Sequence, residues 1–217
     1  MIKIFPSILS ANILNIEEEI RKLEPYCDGF HLDVMDFHFV PNMTFGPEFI
    51  NKIAQVCSKQ LFVHLMVDDP IKWLNILKLK KNDIFAFHYE ATNEHEKIIN
   101  LIHKQKWLAS VAINPKTSIE NIDQFANQID QVLIMSVEPG FAGQPFIPDV
   151  FKKIEQISNF KIKNNLNFRI ATDGGINKNN ITELAKIGVN DFAISSGIFK
   201  CGNPINALEE LYKLTKL

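Results

Sequence analysis

Eight short β-rich runs recur along the chain, at residues 2–5, 29–33, 61–66, 84–88, 108–113, 131–135, 168–172 and 191–194, and each is followed by a loop and a segment of helical spacing. No other feature restricts the fold as strongly. A strand followed by a helix must return to the starting edge of the sheet before the next strand begins, which makes the pairing parallel. Eight such repeats of about 27 residues each, with no domain-sized insertion, predict an α/β fold: a single-domain (β/α)8 TIM barrel over residues 1–217. An open doubly wound sheet fits less well. No Gly-x-Gly-x-x-Gly follows the first run, and the Gly-x-x-Gly of Gly140 to Gly143 is too short for a P-loop and lacks its lysine.

Helix starts are marked by Asn15 with Glu18 three residues on, Gly46-Pro47, Asp69-Pro70, Ser118, Asn177 and Asn203-Pro204. Gly188 is placed to stop the seventh helix. At 217 residues, 46% hydrophobic and 22% charged, the composition is that of an ordinary globular domain. A formal net charge of -2 supplies no attraction to nucleic acid or an anionic membrane, so a small-molecule partner is expected. Cys27, Cys57 and Cys201 are widely spaced and form no C-x-x-C pair, which fits a reducing, cytoplasmic setting. The first residues, MIKIFPSILS, lack the apolar core of a signal peptide, and no run reaches membrane-spanning length.

Within this frame the stretch FHLDVMDFHFVPN, Phe30 to Asn42, is anomalous. Side chains alternate along a strand, so Leu32 and Val34 point to the helical shell while His31, Asp33 and Met35 point into the barrel. A histidine and a carboxylate are costly to bury there without compensation. His64 and Met66 repeat the pattern at the end of the third run, and the seventh leads into Asp173. The third and seventh strands of a closed ring of eight stand opposite each other. His31, Asp33, His64 and Asp173 are therefore expected to converge near the axis at the carboxyl ends of the strands, where barrel chemistry sits. Imidazole nitrogen and carboxylate oxygen suit one divalent ion, with zinc, iron, manganese or cobalt all acceptable. Each residue taken alone is more often an ordinary hydrogen-bonded core residue. Convergence from three strands favours the metal. His95 and His103 read as helix-surface residues, and His88 as a mouth residue without metal contact.

The segments HLDVMDxHFVPNxTFGP, VHLMV, FHxEA, NPxT, IMSVEPGFAGQPF, DGGI and the closing SxIF, in this order along essentially the whole chain, resemble the ribulose-phosphate 3-epimerase family. The resemblance implies a (β/α)8 barrel that interconverts D-ribulose 5-phosphate and D-xylulose 5-phosphate by inverting carbon 3. It implies that His31, Asp33, His64 and Asp173 bind one divalent metal per subunit, zinc foremost, and that Asp33 and Asp173 are the acid-base pair working through a metal-stabilised 2,3-enediolate. Removing a proton from one face and returning one to the other does call for two groups on different sides of the substrate. The family match also assigns Ser7, His64, Met35, Met66 and Met135 to the substrate site, where the thioethers would form a polarizable lining. It implies a homo-oligomer.

A sugar phosphate needs an anion site, yet neither Arg21 nor Arg169 sits in a mouth loop. Backbone N–H groups of Gly140, Phe141, Ala142 and Gly143, of Gly174 and Gly175, and of Ser195, Ser196 and Gly197 are the better candidates, in the loops after the last three strands. Asn12, Asn42 and Asn114 stand outside this core set as supporting groups. Two positions depart from the family pattern. Phe37 stands where glycine is usual, and Ser195 stands where many relatives have glycine. GFAGQPFIP and SGIF also resemble D-allulose-6-phosphate 3-epimerase, which acts on a hexulose phosphate, while DGGI and IMSVEPGF favour the pentulose enzyme. Fold alone also leaves open other reactions of phosphate-binding barrels, and a non-catalytic sugar-phosphate sensor on the same scaffold.

Overall fold

Runs that are apolar on both faces gain most when both faces are covered, as in a parallel sheet wrapped by helices. In the computed structural model, which describes residues 1–216, the runs form β1 (Lys3–Pro6), β2 (Gly29–Met35), β3 (Gln60–Met66), β4 (Ile84–His88), β5 (Leu108–Ile113), β6 (Gln131–Met135), β7 (Arg169–Asp173) and β8 (Asp191–Ile194). Paired neighbours are parallel and run in the order β1, β8, β7, β6, β5, β4, β3, β2. Between β1 and β2 the ring is drawn together by a parallel bridge from Ser7 to His31 and by the Asp28 N–H, which donates to the Ile4 carbonyl at 3.3 Å. The expected (β/α)8 barrel is the observed fold. Among the described residues no helix is long and apolar enough to cross a membrane.

The helices are α1 (Ile16–Leu23), α2 (Pro47–Val56), α3 (Pro70–Ile76), α4 (His95–Lys104), α5 (Val150–Lys163), α6 (Ile181–Lys186), α7 (Ser196–Phe199) and α8 (Pro204–Leu214). Pro47, Pro70 and Pro204 open α2, α3 and α8 at the position where a missing N–H costs nothing. Asp69 accepts from the Lys72 N–H at 3.4 Å, and Asn203 from Ile205 and Asn206 at 3.0 and 3.3 Å. Three expectations need correction. Asn15 precedes α1 without capping it; two 3-10 turns come first, and Asn12 caps the second of them through the Leu14 N–H. Asn177 lies a turn before α6, with Asn180 next to the helix and its Oδ1 accepting from the Asn177 N–H at 2.9 Å. Between β5 and β6, Ser118 leads into a 3-10 segment, Ile119–Phe125, instead of an α-helix. Its Ile, Asn, Asp and Phe residues are poor helix formers, and seven residues give the helix little length over which to recover its nucleation cost. Gly188 follows α6 at φ +116°, a left-handed stop as expected.

Two apolar layers follow from strand alternation. Leu32, Val34, Val63, Leu65, Val111 and Ile134 join helix residues such as Ile20, Ile50, Ile98, Ile154 and Leu208 in the outer core. Phe5, Phe62, Ile84, Ala86, Ala112, Leu133, Met135 and Ala171 form the inner one. Phe5 and Phe62 meet edge to face at 5.5 Å, so the lumen is plugged at mid-height. Beneath the plug Asp191 accepts from Arg169 Nε at 2.8 Å and Gln131 Nε2 at 2.7 Å, and Ser110 donates to Gln131 at 2.8 Å. Arg169 thus belongs to the floor. The polar residues left for chemistry lie above the plug.

Candidate metal centre and active site

Strand register decides which side chains meet above the plug. Asp33 lies opposite His64 and Met35 opposite Met66 across β2 and β3, while Met135 lies opposite Asp173 across β6 and β7. His31, Asp33, His64 and Asp173 each bring a nitrogen or oxygen to within 4.8 Å of the others. His64 Nδ1 is 3.4 Å from Asp33 Oδ1 and 3.4 Å from Asp173 Oδ2, and His31 Nε2 is 4.0 Å from Asp173 Oδ2. Both of these ring nitrogens are buried without a hydrogen-bond partner. An orphaned buried polar atom costs about 1–3 kcal/mol, and two of them facing two carboxylates require a common partner. A divalent cation satisfies all four at once. The cluster is therefore suited to bind one.

The electrostatics of the bare cluster point the same way. Burial would raise the Asp33 carboxyl, but the His31 and His64 imidazoles beside it hold it well below the usual carboxylate range. Burial would lower His64, yet the Asp173 and Asp33 carboxylates beside it push it up to about 9. Acids surrounded this closely attract positive charge, whether proton or metal. Ser7 is fully buried and donates to Asp33 Oδ2 at 2.5 Å, and His31 Nδ1 lies 3.3 Å from the same oxygen. Ser7 thus reaches the centre through Asp33.

Above the cluster opens a cavity of about 490 Å³, its mouth included, lined by Asp33, Asp173, Met66 and Met135 on one side and by the loops after β6, β7 and β8 on the other. Gly140, Phe141, Ala142, Gly143, Gly174, Gly175, Ser195 and Ser196 all line it. Gly197 does not; the Cβ it lacks would stand 2.6 Å from the Ile176 carbonyl oxygen, so this glycine serves packing. Gly175 adopts φ +65°, and a Cβ there would stand 2.5 Å from the backbone nitrogen of Phe146. Loop β7 and loop β6 can approach this closely only without that atom. Met35 is buried behind the cavity wall, in the cluster that also holds Met66, Val40, Leu9 and Phe39.

Two histidines differ from expectation. His95 is buried, not on the surface: its ring stacks on Tyr89 at 4.4 Å and its Nε2 lies 2.9 Å from the Tyr89 carbonyl. His88 has more company than expected. Its Nε2 faces His64 Nε2 at 2.9 Å and its Nδ1 faces Glu90 at 3.2 Å. Burial takes His88 down to about 4 against the opposing pull of Glu90, so the ring is neutral. Its inward direction was legible, because His88 shares strand parity with Ile84 and Ala86. Its partner on the neighbouring strand was not.

Residues 3–199 match the model of the ribulose-phosphate 3 epimerase family. The chain belongs to this family. It is 35% identical over 213 residues to a ribulose-phosphate 3-epimerase of Schizosaccharomyces pombe, covering 96% of this chain and 92% of the relative. With the ribulose-phosphate 3-epimerase of Buchnera aphidicola subsp. Baizongia pistaciae the identity is 41% over 207 residues, covering 92% and 88%. Among solved structures, a KGPDC from Streptococcus mutans superposes with a TM-score of 0.73 at 13% identity, covering 99% of this chain and 97% of that one. The 3-hexulose-6-phosphate synthase from Salmonella typhimurium gives 0.69 at 14%, covering 99% and 98%. At those identities the likeness concerns the barrel alone. Membership of the epimerase family makes this chain an enzyme of the epimerase class.

The two departures from the family's pattern take definite positions. Phe37 adopts φ +64°, the left-handed conformation that glycine enters freely, and its ring is 64% exposed and absent from the cavity wall. It therefore does not narrow the mouth. Ser195 lines the cavity, and its hydroxyl donates to Ser10 at 2.7 Å, toward the loop after β1.

Proposed function

We propose that this epimerase inverts carbon 3 of a five-carbon ketose phosphate, interconverting D-ribulose 5-phosphate and D-xylulose 5-phosphate, with Asp33 and Asp173 as the acid-base pair. The observation that carries the reading is the delivery of two carboxylates from separate strands, β2 and β7, to the wall of one cavity. One abstracts the proton of carbon 3 and the other returns a proton to the opposite face. A divalent ion held by His31, Asp33, His64 and Asp173, zinc foremost and iron, manganese or cobalt also suited, would supply positive charge opposite the oxyanions that develop during proton removal. Ser7 holds Asp33 in place by donating to it. Met66 and Met135 cover the reacting carbon and exclude water, with Met35 supporting them from behind.

The phosphate is assigned to backbone N–H groups of Gly140 to Gly143, Gly174, Gly175, Ser195 and Ser196, which share the far wall of the same cavity. Gly197 shapes that wall from behind. The test is incubation in deuterated water with ribulose 5-phosphate and, separately, allulose 6-phosphate, following carbon 3 by NMR with and without chelator. Chelator-sensitive deuterium uptake and inversion of the pentulose phosphate are expected. Turnover of the hexulose phosphate alone transfers the reading to that substrate, and binding without exchange would make the chain a sensor.

A further inference from the structure

His64 can serve a metal only through Nδ1, the nitrogen that faces Asp33 and Asp173, and only when that nitrogen carries no proton. What keeps it bare is written in the groups behind it. Glu90 Oε1 accepts from the Asn114 N–H at 2.8 Å and from the Thr117 hydroxyl, and Glu90 Oε2 faces His88 Nδ1 at 3.2 Å. Lys153 donates to the carbonyls of Asn114, Pro115 and Thr117 at 2.8, 2.7 and 2.6 Å and so anchors the turn that grips Glu90. Phe39 lies against the His88 ring at 4.7 Å.

An ionised carboxylate only accepts hydrogen bonds, so the proton of His88 resides on Nδ1. Two ring nitrogens in contact share a single proton, and with the His88 proton drawn to Nδ1 by Glu90 its Nε2 is the acceptor. The contact of 2.9 Å between His88 Nε2 and His64 Nε2 then needs its proton on His64. One proton on Nε2 leaves His64 Nδ1 bare toward the two aspartates. We propose that Glu90 and His88 are positioning residues that set the tautomer of His64 and thereby the affinity of the four-residue centre for its divalent ion. The inference rests on the metal reading of that centre. Neither residue touches the reacting atoms; the order of hydrogen bonds is their whole contribution.

Glu90→Gln reverses the chain. The amide oxygen is claimed by the Asn114 N–H and the Thr117 hydroxyl, so the amide NH2 points at His88 Nδ1 and makes it an acceptor. His88 then donates from Nε2, and His64 is left with its proton on Nδ1, where the metal belongs. Zinc or cobalt affinity of the chelator-stripped protein, read by competition with a chromophoric chelator, should fall about 10- to 100-fold. In a His88→Phe background Glu90 has no route to His64, so adding Glu90→Gln should change affinity less than about twofold, by the logic of a double-mutant cycle. Unchanged affinity in Glu90→Gln, or an equal loss in both backgrounds, overturns the proposal. Long-range proton–nitrogen NMR of the unsubstituted, zinc-loaded protein tests it without any variant. The expected pattern is a proton on Nε2 of His64 and on Nδ1 of His88, and a His88 proton on Nε2 instead overturns it. A stripped wild-type chain that binds no divalent ion refutes the metal reading itself, a separate outcome from wild-type binding that Glu90→Gln leaves intact.

Discussion

At the scale of single residues, the proposed chemistry depends on two carboxylates that separate strands bring to one cavity. Under the proposed mechanism Asp33→Asn and Asp173→Asn each remove a proton-transfer group worth about 10²- to 10⁴-fold. Both are expected to lower kcat at least that far while circular dichroism stays that of the parent barrel; a variant within tenfold of wild type removes that aspartate from the mechanism. Glu90 provides a pH signature. Burial would raise its carboxyl, but hydrogen bonds from His88, Thr117 and the Asn114 N–H take it down to about 2. A carboxylate depressed in the folded state contributes stability above its unfolded value of about 4.5 and loses it as pH falls through the folded value. The stability gap between wild type and Glu90→Gln should therefore shrink as pH falls from 5 toward 2, measured by urea unfolding at each pH. A constant gap contradicts the assignment. The metal cluster was legible because period-two alternation alone puts His31 with Asp33 and His64 with Met66 on inward faces. The His64–His88 contact was hidden, because it depends on how β3 and β4 stagger, which neither strand's own sequence records.

At the scale of elements, strands announced themselves better than helices did. Runs apolar on both faces have few alternatives in water, and all eight appear, with β2 extended to Met35 and β7 to Asp173. The crossover helices need only an apolar stripe, so weakly helical segments are free to relax; Ile119–Phe125 became a 3-10 segment and Asn15 lost its expected cap. Loop contacts were likewise invisible until strands fixed their spacing. Gly175→Ala inserts a Cβ 2.5 Å from the Phe146 backbone nitrogen and must push the β7 loop from the β6 loop. A shift on the order of 1 Å costs up to about 10²-fold in a positioned site, so kcat/KM for the sugar phosphate should fall at least tenfold with the barrel still folded. Wild-type kinetics in this variant would remove these loops from phosphate binding. On the barrel floor, Arg169→Gln leaves the buried Asp191 without its guanidinium. A loss of about 3 kcal/mol in urea unfolding is expected, with kcat/KM unchanged because the apolar plug separates floor from site. A stability change below about 0.5 kcal/mol would show that the pair is dispensable.

At the scale of the whole molecule, the barrel turns distant sequence into one point. Residues 31 and 173 lie 142 positions apart by numbering, yet His31 Nε2 and Asp173 Oδ2 stand 4.0 Å apart because β2, β3 and β7 end in the same layer above a filled lumen. Filling below forces function above: the phenylalanine plug leaves the carboxyl-terminal mouth as the place where a small phosphate and two aspartates can meet. The most direct measurement is calorimetric titration of zinc into the chelator-stripped protein and into its His31→Gln/His64→Gln variant, both verified as folded. One ion per chain in the wild type and none in the variant is the expected result. Tight binding that survives loss of both imidazoles, or a stripped wild type that takes up no ion, would contradict a metal centre on the barrel axis.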